Sequence, residues 1–509
     1  MSPASKAAGA IYPFSGSKNL PLNDSKPTAC LCLLKAKLLN SRLNKRVIIM
    51  TKDDVAEIIY DRYIKPTENK DGSFIGVEIE MPIVNLSHKA VNFDIVHKLT
   101  ELFLKEFDFI PTGIDEQGHI YSALNKVNGD VFSYDCSYNN MEFSFGKEIE
   151  LHTIHGRFRR YYDFVQDHLK RFNYTLTGMG INPNRMVNNN VPIENGRYKM
   201  LFHHLSSFSK YACLPMYFHR YPQFGMFSSA SQVQLDVTRD RIPQVINTFN
   251  QLEPIKALLF SNSVLLHENE DLLCCRDMLW ENSTHGINPH NVGMYDCELD
   301  TVDDLLNYIS TTAIYCVERN GKYLNFKPVN LLEYFNTEKL TGEYLENGEI
   351  CSMEFNPQPE DIIYLRTFKT EDLTFRGTIE FRSACCQPIS DAMTVAAFHT
   401  GLLDKTDELM ELIKNDCSLY NNGYNAVELR RQLVCRIKPA YIDTDGMYSL
   451  TKQIIDLCKQ GLIERGFGEE IYLLPLYERI ANRTNPALTM LHQLESGIHI
   501  DKIIKEYAK

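Results

Sequence analysis

The chain has 509 residues, 44% of them hydrophobic, and a formal net charge of -12. That is material for one large domain or two ordinary ones. The acidic balance argues against a nucleic-acid partner, which calls for a basic stripe, and no run of about 18 apolar residues is available to span a membrane. The 14 cysteines are scattered. Cys274-Cys275 and Cys385-Cys386 are adjacent pairs, but no CxxC pairs stand at zinc spacing. The expectation is reduced thiols in a cytoplasmic protein.

Residues 1–49 hold eight Lys or Arg and a single acid, Asp24, which leaves about -19 on the remainder. A basic, acid-poor segment has the composition of a transit peptide. It is read here as a disordered arm or an upstream extension ahead of Met50. Thr51 and Asp54 then form a capping-box pattern, followed by Val55, Ile58, Ile59 and Tyr63 at helical spacing. Ile75 to Met81 alternates as a strand. A helix is expected from Asn92, with Val96, Leu99 and Phe103 on one stripe. Short strands and turns follow over 113–146, and a strong helix over 151–172. The stretch 178–196, rich in Gly, Asn and Pro, reads as a loop. After a strand at 231–237, Pro243 opens a helix that Glu253-Pro254 restarts through Leu265. Residues 301–316 read as helix; 349–356 and 374–383 read as strands. From Ser390 onward nearly everything is helix and loop. The irregular order of elements predicts α+β with an antiparallel sheet, polar on one face and covered by helices on the other. There is no P-loop and no GxGxxG. The expected organisation is 50–390 as the catalytic domain and 391–509 as a helical part packed on it.

Chemistry concentrates on four strands. Glu78 and Glu80 share the face opposite Val77, Ile79 and Met81, because strand side chains alternate. Glu142 sits likewise with Asn140 and Ser144, Gln232 and Gln234 with Asp236, and Glu380 with Thr378 and Arg382. Converging, Glu78, Glu80, Glu142 and Glu380 would repel one another unless cations intervene. Hard divalent ions with oxygen ligands are the usual answer, and through them the phosphates of a nucleotide. The alternative is a solvated strand face. Arg382, two residues after Glu380, suits a transferring phosphate or simply holds Glu380. Arg197 and Lys199 are weaker cases of a phosphate contact. Arg276 and Trp280, four apart, would share a helical face and could hold an amino-acid carboxylate. Gln232 and Gln234 can orient polar substrate groups without adding charge.

In this order the motifs resemble the plant and proteobacterial type of glutamate–cysteine ligase. Gly76-Val77-Glu78-Ile79-Glu80 resembles its Gly-x-Glu-x-Glu strand, and Met141-Glu142-Phe143-Ser144 its Phe-Glu-Leu-Ser. Gly196-Arg197-Tyr198-Lys199-Met200 is similar to Gly-Arg-Tyr-Lys-Ile. Ser231 to Asp236 resembles Val-Gln-Val-Asn-Leu-Asp, and Ser261-Asn262-Ser263 resembles Ala-Asn-Ser. Arg276 to Trp280 resembles Arg-Ser-x-x-Trp, and Gly377 to Arg382 resembles Gly-Thr-x-Glu-x-Arg. The resemblance spans roughly 73–390. It implies a glutamine-synthetase-like sheet, ATP, Mg2+ or Mn2+, and a γ-glutamyl amide made from glutamate and cysteine, the first step of glutathione biosynthesis. It also implies roles. Glu78, Glu80, Glu142 and Glu380 would be metal ligands. Arg276, Trp280, Gln232 and Gln234 would bind substrate. Arg197, Lys199 and Arg382 would bind nucleotide, with Arg382 and Glu380 catalytic. Three stretches depart from the pattern: Asp135 to Asn140 lacks the family's glycines, Cys385-Cys386-Gln387 follows Arg382 where Gly-Ala-Asp belongs, and His203-His204 stands where Arg or polar residues are expected. The departures fall on the acceptor side, so a carboxylate–amine ligase with another acceptor stays open. So does a non-catalytic nucleotide-binding regulator.

Overall fold

The computed structural model describes residues 50–70 and 73–509; the basic segment 1–49 lies outside them. Helix α1 (Lys52–Ile59) starts where expected. The Thr51 side chain accepts from the Asp54 N–H, and the Asp54 carboxylate accepts from the Thr51 N–H. The helix widens into a π turn over Tyr60–Ile64 and closes in a short 3-10 turn at Lys65–Thr67. Val55, Ile59 and Ile64 are buried, so this segment is packed into the body.

The alternating runs become β1 (Ile75–Asn85), then β2 (Phe109–Ile114), β3 (Ile120–Asn125), β4 (Val131–Tyr134) and β5 (Asn140–Glu148). Helix α2 (Phe93–Glu106), capped by Asn92, stands between the first two, and α3 (Leu151–Leu169) follows β5. Next come β6 (Tyr174–Leu176), α4 (Gly196–Ser206), β7 (Ser231–Asp236), α5 (Ile242–Phe260) and α6 (Cys275–Glu281). Then come β8 (Val292–Gly293), α7 (Val302–Ser310), β9 (Ala313–Arg319), β10 (Lys322–Asn330), α8 (Leu331–Asn336), β11 (Leu340–Glu346) and β12 (Glu349–Phe355). The strand-rich part ends with β13 (Phe368–Lys369), β14 (Glu371–Leu373) and β15 (Thr378–Phe381). The remainder is helical: α9 (Thr394–Leu403), α10 (Thr406–Asn415), α11 (Ala426–Leu433), α12 (Thr444–Arg465), α13 (Leu474–Ala481), α14 (Pro486–Glu495) and α15 (Ile500–Tyr507).

The fold is α+β. One sheet runs in the order β14-β15-β7-β1-β5-β4-β3-β2, with β6 also paired to β1. Every pairing in it is antiparallel. A four-stranded sheet, β12-β11-β10-β9, and the parallel pair β13-β8 stand apart from it. Period two decides the layers. Val77 and Ile79 of β1, Met141 and Phe143 of β5, Val233 and Leu235 of β7, and Ile379 and Phe381 of β15 point to one side. They share one core with Phe158 of α3, Phe249 of α5 and Phe398 of α9. Ile454 and Leu462 of α12 belong to that same core. The last two helices, α14 and α15, close over Val84 and Met179 through Met490, Leu491, Ile503 and Ile504.

Three elements differ from expectation. The helix at 242 runs unbroken through Pro254 and stops at Phe260 rather than Leu265. Its interior is buried on all sides, so packing offsets the hydrogen bond that proline removes. The helix at 301 ends at Ser310, and Ala313–Arg319 is a strand. Its Ile, Tyr, Cys and Val suit a pleated surface better than a helix. The strand at 374–383 is shorter: Thr374 to Gly377 is the turn of the β14–β15 hairpin, and Gly377 takes a positive φ of 71°.

Candidate active site

The polar residues of the four strands line up on the face opposite the core. Across β1 and β5, Glu80 faces Glu142 and Glu78 faces Ser144. Across β1 and β7, Glu78 faces Gln232. Across β7 and β15, Gln234 faces Glu380, and Glu380 in turn faces Asp372 of β14. Glu78, Glu80, Glu142 and Glu380 are all buried, and all four line one cavity. Neutral amides are set among them. Gln234 Nε2 donates to both Glu78 (2.9 Å) and Glu380 (3.1 Å). Gln232 Nε2 donates to Glu80 (2.8 Å), whose second oxygen accepts from the Ala230 N–H at 2.8 Å. The Ser144 hydroxyl donates to Glu142 at 2.5 Å, and Arg382 pairs with Glu380.

So much buried acid is electrostatically costly. Burial raises the Glu78 carboxyl far above the usual range, and the neighbouring Glu380 adds to it, against the pull of Arg376 and Arg382. Glu80 is raised by burial and then by Asp135. Glu142 is raised well above its ordinary value by burial and then by Glu78, Asp135 and Glu80. The floor holds more acid than Arg382, beside Glu380, can offset. By donor chemistry it fits a hard cation: carboxylate oxygens, and a buried Gln232 Oε1 with no hydrogen-bond partner. Among the described residues, however, no group of three or more His, Cys, Asp or Glu closes to a spacing that would hold a metal ion. Gln234 spaces Glu78 from Glu380, and Gln232 occupies one oxygen of Glu80.

The walls come from α4, α6 and the segment 363–376. On α6, Arg276 and Trp280 lie one turn apart and both line the cavity. Arg276 Nη1 donates to the carbonyls of Ala384 (3.2 Å) and Ser383 (3.4 Å), and its buried Nε has no hydrogen-bond partner. Trp280 stacks on Phe368 at 3.9 Å and meets Phe224 edge-on at 4.7 Å. From behind, Arg430 of α11 forks onto Asp277 (2.8 and 3.0 Å) and also bonds Glu253, fixing the helix that carries Arg276. Of the two α4 cations, Arg197 lines the cavity; Lys199 pairs instead with Glu116 (2.7 Å) and Glu194 (2.8 Å). Two residues apart on a helix is about 200° of rotation, so the pair cannot face one site.

The model of the glutamate–cysteine ligase family 2 matches residues 74–497. The chain belongs to that family. The matched residues include β1, β5, β7 and β15, which carry the carboxylate floor, and α6. A comparison with curated protein sequences found no match. Among solved structures, the chain is similar to glutamate–cysteine ligase from Francisella tularensis, determined in complex with AMP. Identity is 13% over 87% of this chain and 88% of that one, with a TM-score of 0.45.

Sequence reasoning did not find several residues that this family 2 chain brings to the cavity: Asp135, Asp372, Arg366, Lys369, Arg376 and Arg62. Burial raises Asp372 to about 6 and lowers Lys369 to about 8. The Lys369 ammonium donates to the carbonyls of Met294 (2.7 Å) and Val292 (3.2 Å) and to the Tyr308 hydroxyl (2.9 Å). A signal does exist for Arg376: it is the cation just before Gly377-Thr378-Ile379-Glu380, in a hairpin turn whose sequence reads as strand. Arg62 carries none, since it follows an ordinary amphipathic stretch. Among the described residues no helix is long and apolar enough to cross a membrane.

Proposed function

We propose that this chain is an ATP-dependent ligase that joins the γ-carboxylate of glutamate to the amine of cysteine through a γ-glutamyl phosphate. The observation that carries the reading is the convergence of Glu78, Glu80, Glu142 and Glu380 with Arg382 on one buried face, inside the family-matched region. A floor with excess carboxylate beneath a wall of arginine suits a polyphosphate that arrives with divalent cations. Mg2+ or Mn2+ held by the four glutamates would neutralise phosphate oxygens. Arg382 stands beside Glu380 with its guanidinium 5.5 Å from the Phe368 ring centroid, where it can follow charge on a transferring phosphoryl group. Arg276 has a buried Nε to offer to an amino-acid carboxylate, and Trp280 forms an apolar wall next to it. Gln232 and Gln234 keep the carboxylates spaced without adding charge.

The deciding experiment is the mass of the product after incubation with glutamate, cysteine, ATP and Mg2+, with the nucleotide left behind. ADP with γ-glutamylcysteine is expected. AMP with pyrophosphate would overturn the mechanism. Turnover with an amine other than cysteine would move the reading to a ligase with a different acceptor. No nucleotide turnover with any amine would leave the non-catalytic regulator.

A further inference from the structure

The cavity has a wall that the family match does not include. Arg62 and Tyr63 line it, yet they stand in the π turn after α1, twelve and eleven residues ahead of the match at 74. The Arg62 guanidinium carbon is 4.9 Å from the centroid of Phe375, and that of Arg376 is 4.7 Å from the same ring. The two cations are therefore no more than about 10 Å apart. The Arg62 Nε is buried and has no hydrogen-bond partner. Arg376 Nη1 reaches Gln234 Oε1 at 3.4 Å, and Gln234 in turn holds Glu78 and Glu380. Arg376 thus stands one amide away from the carboxylate floor, and Arg62 lines the same cavity.

This placement is fixed by close packing. A Cβ built on Gly377 would lie 2.6 Å from the Pro66 carbonyl oxygen and 2.9 Å from the Thr67 nitrogen, so the hairpin turn and the N-terminal segment touch backbone to backbone. Lys70 completes the tie, donating to the Arg376 carbonyl (3.0 Å) and pairing with Asp236 (2.7 Å).

We propose that Arg62, acting with Arg376 across Phe375, is a nucleotide-binding residue that grips the polyphosphate, supplied by the segment ahead of the family-matched region. This rests on the proposed function. Guanidinium groups match phosphate oxygens in a planar fork, and a ring in contact with each limits the conformations it must give up on binding. Phosphate is favoured over an amino-acid carboxylate because two arginines beside one ring line the cavity with the acidic floor, while Arg276 is held apart from them on α6.

The test uses the full chain with Mg2+ and titrates ADP, a non-hydrolysable ATP analogue, and glutamate into wild type, Arg62→Gln and Arg62→Lys. Arg62→Gln is expected to bind both nucleotides about tenfold more weakly, as loss of one charge-assisted contact implies, with glutamate affinity unchanged. Arg62→Lys keeps the charge without the fork and should recover part of the loss. Melting temperatures are taken alongside. If Arg62→Gln fails to fold, Arg62→Lys carries the comparison, and nucleotide binding equal to wild type overturns the inference. So does a loss confined to glutamate, which would make the bound anion a carboxylate. A wild-type chain that binds neither nucleotide removes the proposed function and this inference together. A wild type that binds them, with variants that bind equally well, removes this inference alone.

Discussion

Replacing Arg276 with alanine should raise the Michaelis constant for glutamate and leave that for ATP nearly unchanged. The side chain is 8% exposed, and its Nη1 is held by two backbone carbonyls, of Ser383 and Ala384. Those contacts aim the group before substrate arrives, so little ordering cost remains on binding. A charge-assisted contact to a carboxylate contributes about 1.5–3 kcal/mol, which is roughly ten- to a hundredfold in affinity. The two lost bonds to carbonyls will also lower stability, by about 1–3 kcal/mol each. The assay is initial rate with glutamate varied at saturating ATP, then the reverse, with a thermal melt on each preparation. Arg276→Lys should fall between the two, since an ammonium keeps the charge without the fork. Unaltered glutamate dependence in a folded Arg276→Ala protein would refute the assignment, and an equal rise for ATP would place Arg276 on the nucleotide instead.

Glu380→Gln keeps the shape and removes one charge from the floor; turnover should drop by at least about a hundredfold, about 3 kcal/mol at the transition state, while circular dichroism and melting stay near wild type. Stability without ligands or divalent ions should fall as pH rises from about 4.5 to about 8, because Glu78, at about 8 folded, keeps a proton that the unfolded chain has released. The contribution is whole below the unfolded value and is lost as pH passes the folded one; melts across that range that stay as flat in wild type as in Glu78→Gln would contradict it. Lys256→Met removes the fully buried cation between Glu253 and Glu371 and leaves Arg430 as the cation on Glu253; it should cost about 3–5 kcal/mol, read as a large loss in denaturant midpoint. A chain starting at Met50 should fold and keep its activity, with less than about 1 kcal/mol lost, since it retains the capping box at Thr51 and the whole of α1; soluble but inactive protein would give residues 1–49 a role.

The floor was legible because a strand writes its faces into the sequence at period two. Glu78 with Glu80, Gln232 with Gln234, and Glu142 with Ser144 each declare a side without knowledge of neighbours, and the register then brings them into one row. Arg276 and Trp280 were legible for the helical equivalent of that reason. What could not be read was which loop crosses above the floor. Arg366, Lys369 and Arg376 owe their place to a hairpin turn and a two-stranded parallel pair, and those depend on long-range pairing. Lys199 shows the opposite error: Arg197 and Lys199 look alike in the sequence, and only the helix through them separates one from the other by about half a turn. Likewise the strand at Ala313 was hidden behind a well-formed helix start, because a capping pattern marks where a helix begins and says little about where it ends.

Arg430 sits on a helix far along the chain, yet its fork is what clamps Asp277, next to Arg276. On the proposed function this makes the grip on glutamate hostage to the C-terminal helices. Fraying of α11 on warming would free Asp277 first and leave the carboxylate floor standing. The temperature at which the enzyme stops recognising its amino acid should then lie below the temperature at which it unfolds.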